Sequence, residues 1–326
     1  MFFVPAGSIA HVKKLGGHML ARGTSARPLT GIVLNLSALL VLSSMAGVVK
    51  AVSAHVSTGQ AVFARAFFSL PFILIWIAMQ GPLMDGLRMA RPRMHLLRGL
   101  LGSATLGMNF VALALLPLPE VTTIGFAAPV LTLIFAVVFL GERVRLFRWT
   151  AVGLGLVGVM IVVWPRLALG GEVDQMARLG ALMALGAACT AALIKIIVRR
   201  MVATETTPSI VFWFAMTASL LSLTTLPFGW VIPSGEIFLL LVLTGALGGI
   251  GQLMMTASYR FADASALAPF WYVQLFFATA IGYVFFGEIP TGPMIAGASL
   301  VIASGLLILW RESQLGKQPQ ERVPLN

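Results

Sequence analysis

Long runs of apolar residues separated by short polar joints dominate the chain of 326 residues. Ten such runs can be marked, and each is long enough to cross a bilayer as a helix, which takes about 20 mostly apolar residues. The runs cover residues 30–52, 58–80, 96–116, 119–140, 147–165, 178–199, 207–230, 236–257, 264–286 and 292–311. They lack the alternating polarity of the roughly 10-residue strands in membrane β-barrels. The pattern predicts an all-α integral membrane protein with ten transmembrane helices.

Two of the runs end in the same short motif, FLGERV at 139–144 and FFGEIP at 285–290. A shift of 146 residues aligns these motifs, and it also aligns Trp164 with Trp310 and LRGLLG (97–102) with LTGALG (243–248). A shift of 145 residues places Lys50 on Lys195. The chain therefore carries an internal repeat.

The repeat divides the chain into two units of five helices, residues 30–165 and 178–311, between an N-terminal tail of residues 1–29 and a C-terminal tail of residues 312–326. Because five crossings leave a unit on the opposite side of the membrane, the two copies are predicted to have inverted topology. Secondary transporters commonly have this organisation, with a substrate site near the bilayer midplane between the repeats.

Composition and charge agree with a membrane protein. Apolar residues make up 59% of the chain and charged residues only 10%, against about 25% charged residues in soluble domains. With the N-terminus in the cytoplasm, seventeen of the 22 basic residues lie in predicted cytoplasmic segments and only Arg166 and Arg178 lie in outer joints. This bias follows the positive-inside rule. It predicts both termini in the cytoplasm and explains the net charge of +11 without nucleic acid.

Two paired blocks, residues 117–163 and 262–308, resemble the drug/metabolite transporter superfamily, specifically its EamA type. The resemblance implies a carrier of 5+5 inverted helices. Its cavity is formed mainly by the first four helices of each half, and the fifth and tenth helices are peripheral. The stretch GQAVFARAFFSLPF (59–72) is similar to the bacterial riboflavin-uptake branch. The superfamily also moves amino acids, nucleotide-like metabolites and drugs.

These observations predict a secondary transporter in the inner (plasma) membrane that moves a small organic metabolite by alternating access. Riboflavin or a similar planar, hydrogen-bonding metabolite is the first expectation, and export of amino acids or drugs is the alternative. A membrane enzyme would need a cluster of acids, histidines or metal ligands near one face, and none is visible. Neither a cofactor nor a metal is expected. Direction of transport, coupling ion, oligomeric state and the start at Met1 or Met19 stay open.

The acidic residues and histidines all lie in the tails, in joints or within about two residues of a predicted helix end. Proton- and sodium-driven carriers often place such a group inside the membrane. The pattern therefore indicates a facilitator, an exchanger, or coupling through the charge of the substrate. The alternative is that Glu120, near a helix start, titrates during transport.

Three cations fall within predicted spans. Arg65 in the second run is a candidate for binding an acidic or carbonyl-rich substrate through its guanidinium fork; the alternative is an arginine bonded to helix-end carbonyls. A local alignment of VF at 62–63 with VF at 211–212 places Phe214 at the equivalent position, so Arg65 is not part of the duplicated frame. Lys50 and Lys195 lie near helix ends, where they are predicted to snorkel to the interface or to serve as gate or anchoring residues.

Neutral amides and aromatic rings near mid-span are further candidates for substrate binding, because amides bind ligands and rings stack on flat ligands. The alternatives are that the amides tie helices together and that the rings mark the membrane interface. These candidates are Asn109, Phe126, Trp213, Gln252, Trp271, Tyr272 and Gln274.

Several residues are predicted to shape the helices. Pro129 and Pro269 are candidates for kinks in the fourth and ninth helices, where freed carbonyls would face the cavity. The string GLGLVG (153–158) lies inside a span and follows no strand, so it is predicted to serve close helix packing rather than to bind a dinucleotide. A homodimer through the fifth and tenth helices is a further expectation. Cys189 is the single cysteine, which excludes an internal disulfide.

Overall fold

The computed structural model describes residues 28–140, 146–167, 175–201, 204–258, 261–262 and 267–315. These residues form thirteen α-helices and one 3-10 helix, without a strand among them. The α-helices are α1 (Pro28–Val52), α2 (Thr58–Phe67), α3 (Leu70–Gln80), α4 (Leu83–Leu87), α5 (Pro92–Leu115), α6 (Leu118–Gly125), α7 (Ala127–Leu140), α8 (Leu146–Leu167), α9 (Gln175–Met201), α10 (Thr207–Leu223), α11 (Gly235–Ser258), α12 (Val273–Phe286) and α13 (Gly292–Leu315). The 3-10 helix spans Ala268–Tyr272.

Seven stretches of the described chain are long and apolar enough to cross a membrane. They are Leu29–Val52, Thr58–Gln80, Pro92–Leu115, Leu118–Phe139, Trp149–Leu167, Gln175–Val198 and Gly235–Ser258. Three shorter apolar helices, Thr207–Leu223, Phe270–Phe286 and Gly292–Leu307, coincide with the other predicted runs. The prediction of a helical, multi-pass membrane protein is confirmed, while the number of crossings stays a prediction.

Two of the predicted spans are interrupted, and a proline follows each interruption. The run 58–80 divides into α2 and α3, and the run 119–140 divides into α6 and α7. A proline has no N–H to donate to the carbonyl four residues before it. α2 ends at Phe67, four residues before Pro71, and α6 ends at Gly125, four residues before Pro129. Pro269 lies within the 3-10 helix that precedes α12.

The helices pack in pairs drawn from both halves of the chain. α1 lies along α11, α5 lies along α9, and α8 lies along α13. α10 contacts α2 and α5, and α11 also contacts α2. The largest buried cluster joins residues from both halves, including Leu116 and Ile124 of the first and Leu275 of the second.

Small residues bring the backbones of α8 and α13 together. A Cβ atom at Gly158 would lie only 2.7 Å from the carbonyl oxygen of Gly297. Two turns away on each helix, Ser304 Oγ donates a hydrogen bond of 2.6 Å to the Ala151 carbonyl. The predicted packing role of GLGLVG is confirmed at Gly158, and it operates within one chain.

The motif FFGEIP ends α12 through a left-handed glycine. Gly287 has φ of +65°, a conformation that favours glycine. Its N–H donates to the Tyr283 carbonyl, and the N–H of Glu288 donates to the Gly282 carbonyl. This double closure is typical of a helix C-terminus, and it turns the chain so that Glu288 follows the last turn directly. Of the matching motif FLGERV, residues 141–144 lie outside the described part of the chain.

Candidate functional site

A small cavity lies between α2, α5, α10 and α11, and two arginines line it. Arg65 comes from α2 and Arg98 from α5, while Phe214 and Gln252 come from α10 and α11. The cavity volume is about 60 Å³. Water occupies roughly 30 Å³ per molecule in the liquid, so the space holds a small polar group but not a whole ring system.

Arg65 is buried in the helix bundle. Only 9% of its surface is exposed, and its Nε atom has no hydrogen-bond partner in the described part of the chain. The side chain lies against Gly248, where a Cβ atom would be 3.4 Å from its Cζ and Nε atoms. An unsatisfied buried donor costs free energy, so this guanidinium is available to a ligand.

Arg98, which the charge count places among the cytoplasmic basic residues, extends into the helix bundle. It lies in the second turn of α5, and its Nε and Nη1 atoms are buried without a partner among the described residues. Its guanidinium lies 4.2 Å from the centre of the Phe214 ring. The Nη1 atom lies beside Gly102, one turn further into the bundle. The cation–π contact and the space left by Gly102 explain why the side chain extends inward.

Of the predicted candidates, this cavity brings together Arg65 and Gln252. The sequence reasoning missed Arg98 and Phe214 as site residues. A signal for both was present: the repeat alignment places Arg98 opposite the neutral Thr244 and places Phe214 opposite Arg65. A charge that is present in only one copy is not needed to build the repeated fold, so it is a candidate for function.

Three predicted aromatic candidates form a second group at the α6–α7 interruption and the 3-10 helix. The rings of Phe126 and Tyr272 lie 5.2 Å apart between centroids. Lys195 Nζ lies 5.8 Å from the centre of the Trp271 ring. Tyr272 reaches α13, where its hydroxyl lies against Gly305. This group is separate from the residues that line the two-arginine cavity.

Three other candidates are outside both groups. Trp213 is half-buried, and its Nε1 atom donates a hydrogen bond of 2.8 Å to the Leu87 carbonyl, which ties α10 to α4. Asn109 on α5 and Gln274 on α12 are half-buried and do not line the cavity.

Lys50 is held by the protein rather than extended toward lipid headgroups. Its Nζ atom donates to the carbonyls of Leu113 and Leu116 and forms a salt bridge of 2.8 Å with Glu288 Oε1. Glu288 Oε2 accepts a hydrogen bond of 2.8 Å from the N–H of Leu118, the first residue of α6. This network joins α1, α5, α6 and the end of α12, and we call this end of the bundle the Lys50 end.

A second ion pair lies at the Lys50 end. Arg166 donates from Nη2 and Nε to the two carboxylate oxygens of Glu120, at 2.8 and 3.2 Å. Only 5% of Glu120 is exposed. Glu120, the candidate for titration during transport, is therefore paired with Arg166 in a two-point contact that joins α6 to the end of α8.

At the opposite end of the bundle, Glu205 binds the start of α5. Its carboxylate accepts hydrogen bonds from the backbone N–H groups of Ala90 and Arg91, and His95 Nε2 lies 3.2 Å from its Oε2 atom. Burial raises the pKa of Glu205, but the bonds from Ala90, His95 and Arg91 outweigh it and hold the pKa below its ordinary value. His95, assigned to a joint from the sequence, lies in the buried first turn of α5.

The described ranges contain no group of three or more histidine, cysteine, aspartate or glutamate side chains that could hold a metal ion.

Comparison with known proteins supports the resemblance seen in the sequence. The profile of the EamA-like transporter family matches residues 29–164 and 178–310. An S-adenosylmethionine uptake transporter of Rickettsia felis is 28% identical over 294 residues, which is 90% of this chain and 97% of that protein. A pseudopaline exporter of Pseudomonas aeruginosa is 27% identical, over 84% of this chain and 94% of the exporter.

A riboflavin transporter of Rhizobium johnstonii is also similar, at 27% identity over 80% of this chain and 84% of that protein. Among solved structures, one crystal structure matches with a TM-score of 0.63 and 21% identity. The match covers 87% of this chain and 98% of the other. At that identity the likeness concerns the fold.

Proposed function

The chain belongs to the EamA-like transporter family, and from this we propose that it is a secondary transporter of a small organic metabolite. It would work by alternating access in the inner membrane, with ten helices in two inverted repeats and both termini in the cytoplasm. The observation that carries the proposal is the double family match over residues 29–164 and 178–310. Neither an enzymatic activity nor a cofactor is part of it.

The helix packing supports the inverted repeat. Under the repeat, α1 corresponds to α9 and α5 corresponds to α11. The pair of α1 with α11 then becomes the pair of α9 with α5, and both pairs are major contacts. α8 and α13 correspond to each other and are also in contact. A pseudo-two-fold axis would produce this exchange of partners.

Individual contacts follow the same relation. The shift of 146 residues aligns Phe126 with Tyr272, and these rings contact each other. The same shift converts the contact of Gly158 with Gly297 into the contact of Ser304 with Ala151, and both are close approaches of α8 and α13.

Reporter fusions test the topology directly. A fusion after Gly141 should report the cytoplasm and a fusion after Gly287 should report the outer side, because the repeats are inverted. Fusions at both termini should report the cytoplasm. Gly141 and Gly287 on the same side of the membrane would contradict the inverted repeat.

Alternating access is needed because the two-arginine cavity is too small for a metabolite. Ligand pockets for such molecules usually have about 300–1,000 Å³, against about 60 Å³ here. The ion pairs of Lys50 with Glu288 and of Arg166 with Glu120 close one end of the bundle. By the predicted topology this is the outer end, so opening to the outside would separate these contacts.

The first substrate candidate is riboflavin or another planar, hydrogen-bonding metabolite taken up into the cell. The proposed contacts are the aromatic group of Phe126, Trp271 and Tyr272, with Lys195 beside it, and the amides of Asn109, Gln252 and Gln274. The relative from Rhizobium johnstonii carries the name riboflavin transporter.

One observation favours a second candidate, S-adenosylmethionine. Riboflavin is uncharged, whereas the amino-acid part of S-adenosylmethionine carries a carboxylate that two arginines could bind. The alignment with the S-adenosylmethionine uptake transporter of Rickettsia felis covers 97% of that protein. Since the pseudopaline relative is named an exporter, export of a metabolite is the alternative direction.

Uptake of labelled metabolites by cells that lack their own carriers tests these candidates. The panel includes riboflavin, S-adenosylmethionine and aromatic amino acids. We expect the cells to accumulate one of the first two, and preloaded cells distinguish export from uptake. A panel without any accumulation or release would contradict the proposed function.

We also propose that two copies associate through α8 and α13. The small-residue faces of these helices are used within the chain, so the dimer would use the outer apolar face with Val157, Met160 and Trp164, which are exposed. Mass measurement in detergent, compared between the wild type and Met160→Lys, tests this association.

A further inference from the structure

We propose that Arg65 and Arg98 together form a binding site for one anionic group, a carboxylate or a phosphate, of the transported metabolite. The inference deepens the proposed transport function and rests on it for the role of the site. Binding of an anion to the purified protein can nevertheless be measured without any knowledge of transport.

The first argument is the missing countercharge. The described residues that line the cavity contain no acidic side chain. The buried carboxylates near the two ends of the bundle are paired elsewhere: Glu288 with Lys50, Glu120 with Arg166 and Glu205 with His95. Two like charges in one buried cavity repel each other, and each loses hydration on burial. A bound anion would offset both terms.

The second argument is hydrogen bonding. Arg65 Nε and Arg98 Nε and Nη1 are buried donors without a partner among the described residues. A guanidinium binds a carboxylate or phosphate through two parallel N–H···O bonds. Gln252 lines the same cavity and carries an amide that can donate a further bond. Arg65, Arg98 and Gln252 line the same space of about 60 Å³, which suits a single anionic group.

The third argument is that this part of the protein departs from its own repeat. The aligned glycines Gly102 and Gly248 both leave room at the cavity: Gly102 for Arg98 and the Phe214 ring, Gly248 for Arg65. A glycine at this position therefore occurs in both copies. The arginines occur in one copy only, since Arg65 aligns with Phe214 and Arg98 aligns with Thr244. A charge needed only to build the repeated frame would be expected to recur.

The experiment uses the purified full chain in an uncharged detergent, with the ionic strength held constant by sodium chloride. The probes are succinate and inorganic phosphate, with uncharged succinamide as the matched control. Binding is measured by the shift in melting temperature and by scintillation proximity with labelled succinate. We expect succinate or phosphate to stabilise the wild type and succinamide to have no effect.

Arg65→Gln and Arg98→Gln should each weaken anion binding at least tenfold. Arg93→Gln is the control, because Arg93 is an exposed arginine on the same helix as Arg98 and does not line the cavity. It should bind as the wild type does. Because Arg65 Nε has no hydrogen-bond partner among the described residues, Arg65→Gln should not lower the melting temperature without ligand. Arg98→Gln also loses the contact with the Phe214 ring, so its binding is compared at equal folded fraction. Arg65→Lys keeps the positive charge but loses the two parallel N–H donors of the guanidinium, so it should bind the anions with intermediate affinity. It replaces Arg65→Gln in the experiment if that variant does not fold.

Several outcomes would overturn the site. One is that the Gln variants bind the anions as the wild type does, and another is that succinamide stabilises as well as succinate. No stabilisation by either anion up to its highest soluble concentration would be a third. A lipid is tested with vesicles of phosphatidylcholine with or without phosphatidylglycerol. Stabilisation by phosphatidylglycerol alone, lost in Arg65→Gln, would assign the cavity to a lipid headgroup and overturn the proposal.

The design separates this inference from the proposed function. Anion binding that depends on both arginines, together with a metabolite panel that is not transported, would support the site and contradict the transport role. Transport of an uncharged metabolite that is insensitive to both substitutions would support transport and contradict the role of the arginines in it.

Discussion

Lys50 Nζ and Glu288 Oε1 lie 2.8 Å apart, so one salt bridge joins α1 to the residue that follows the cap of α12. The two side chains are only 16% and 11% exposed. Lys50 also bonds two carbonyls at the end of α5, and Glu288 bonds the first N–H of α6. The contact is therefore the centre of a network that holds four helix ends together.

Replacing Lys50 by Met should destabilise the protein, because it leaves the Glu288 carboxylate largely buried without its cation. Breaking a buried ion pair costs on the order of 3 kcal/mol. Thermal unfolding of the purified protein should show a lower melting temperature for Lys50→Met and for Glu288→Gln, with the double variant less affected than the sum of both. Glu236→Gln, at an exposed position, is the control. Fully additive single effects would contradict the coupling.

Glu205 should make stability fall in acid. Its pKa in the folded protein lies below the ordinary value of 4.5, so the folded state binds this proton less readily than the unfolded state. The contribution is complete above about pH 4.5 and is lost as the pH falls through the folded pKa. Melting temperatures measured from pH 6 to pH 3 should fall less steeply for Glu205→Gln than for the wild type. Parallel curves for the two proteins would contradict the expectation.

Gly102→Ala should disturb the two-arginine cavity. The new methyl group would lie 2.5 Å from Phe214 Cε2 and against Arg98 Nη1. Overpacking of this kind costs about 1–3 kcal/mol, and displacing Arg98 should also weaken anion binding. Gly107→Ala on the same helix is the matched control, because a Cβ atom there meets nothing within 4 Å. It should be neutral or slightly stabilising, since alanine favours the helix. Equal melting temperatures for the two variants would contradict this geometry.

Gly158→Ala should loosen the contact of α8 with α13, since the methyl group would press on the Gly297 carbonyl at 2.7 Å. A melting temperature below that of the wild type is expected. Gly153→Ala on the same helix meets nothing within 4 Å and provides the comparison. If Gly158→Ala and Gly153→Ala melt together, the close approach of the two helices is wrong.

The apolar runs and their spacing were sufficient to predict a helical multi-pass membrane protein and most helix positions, and the resemblance of residues 117–163 and 262–308 predicted the family. The interruptions of the second and fourth spans also have a cause in the sequence, because Pro71 and Pro129 each withdraw a donor from the carbonyl at which a helix ends. Of the binding candidates, Arg65 and Gln252 share a cavity, whereas Trp213 binds the Leu87 carbonyl. Lys50 does not extend to the membrane interface, because its amine forms a salt bridge with Glu288 within the protein.

The length of the apolar runs alone determined that this chain forms helices in a membrane, because every backbone N–H and C=O must be satisfied within lipid. Only the tertiary structure decided where the charges point. A helix that is apolar all round has no polar face to set its rotation about its axis, and that rotation decides which side chain meets which neighbour. Arg98 shows the consequence: its position near a helix start indicates an interface charge, but the gap at Gly102 and the face of Phe214 direct it inward beside Arg65.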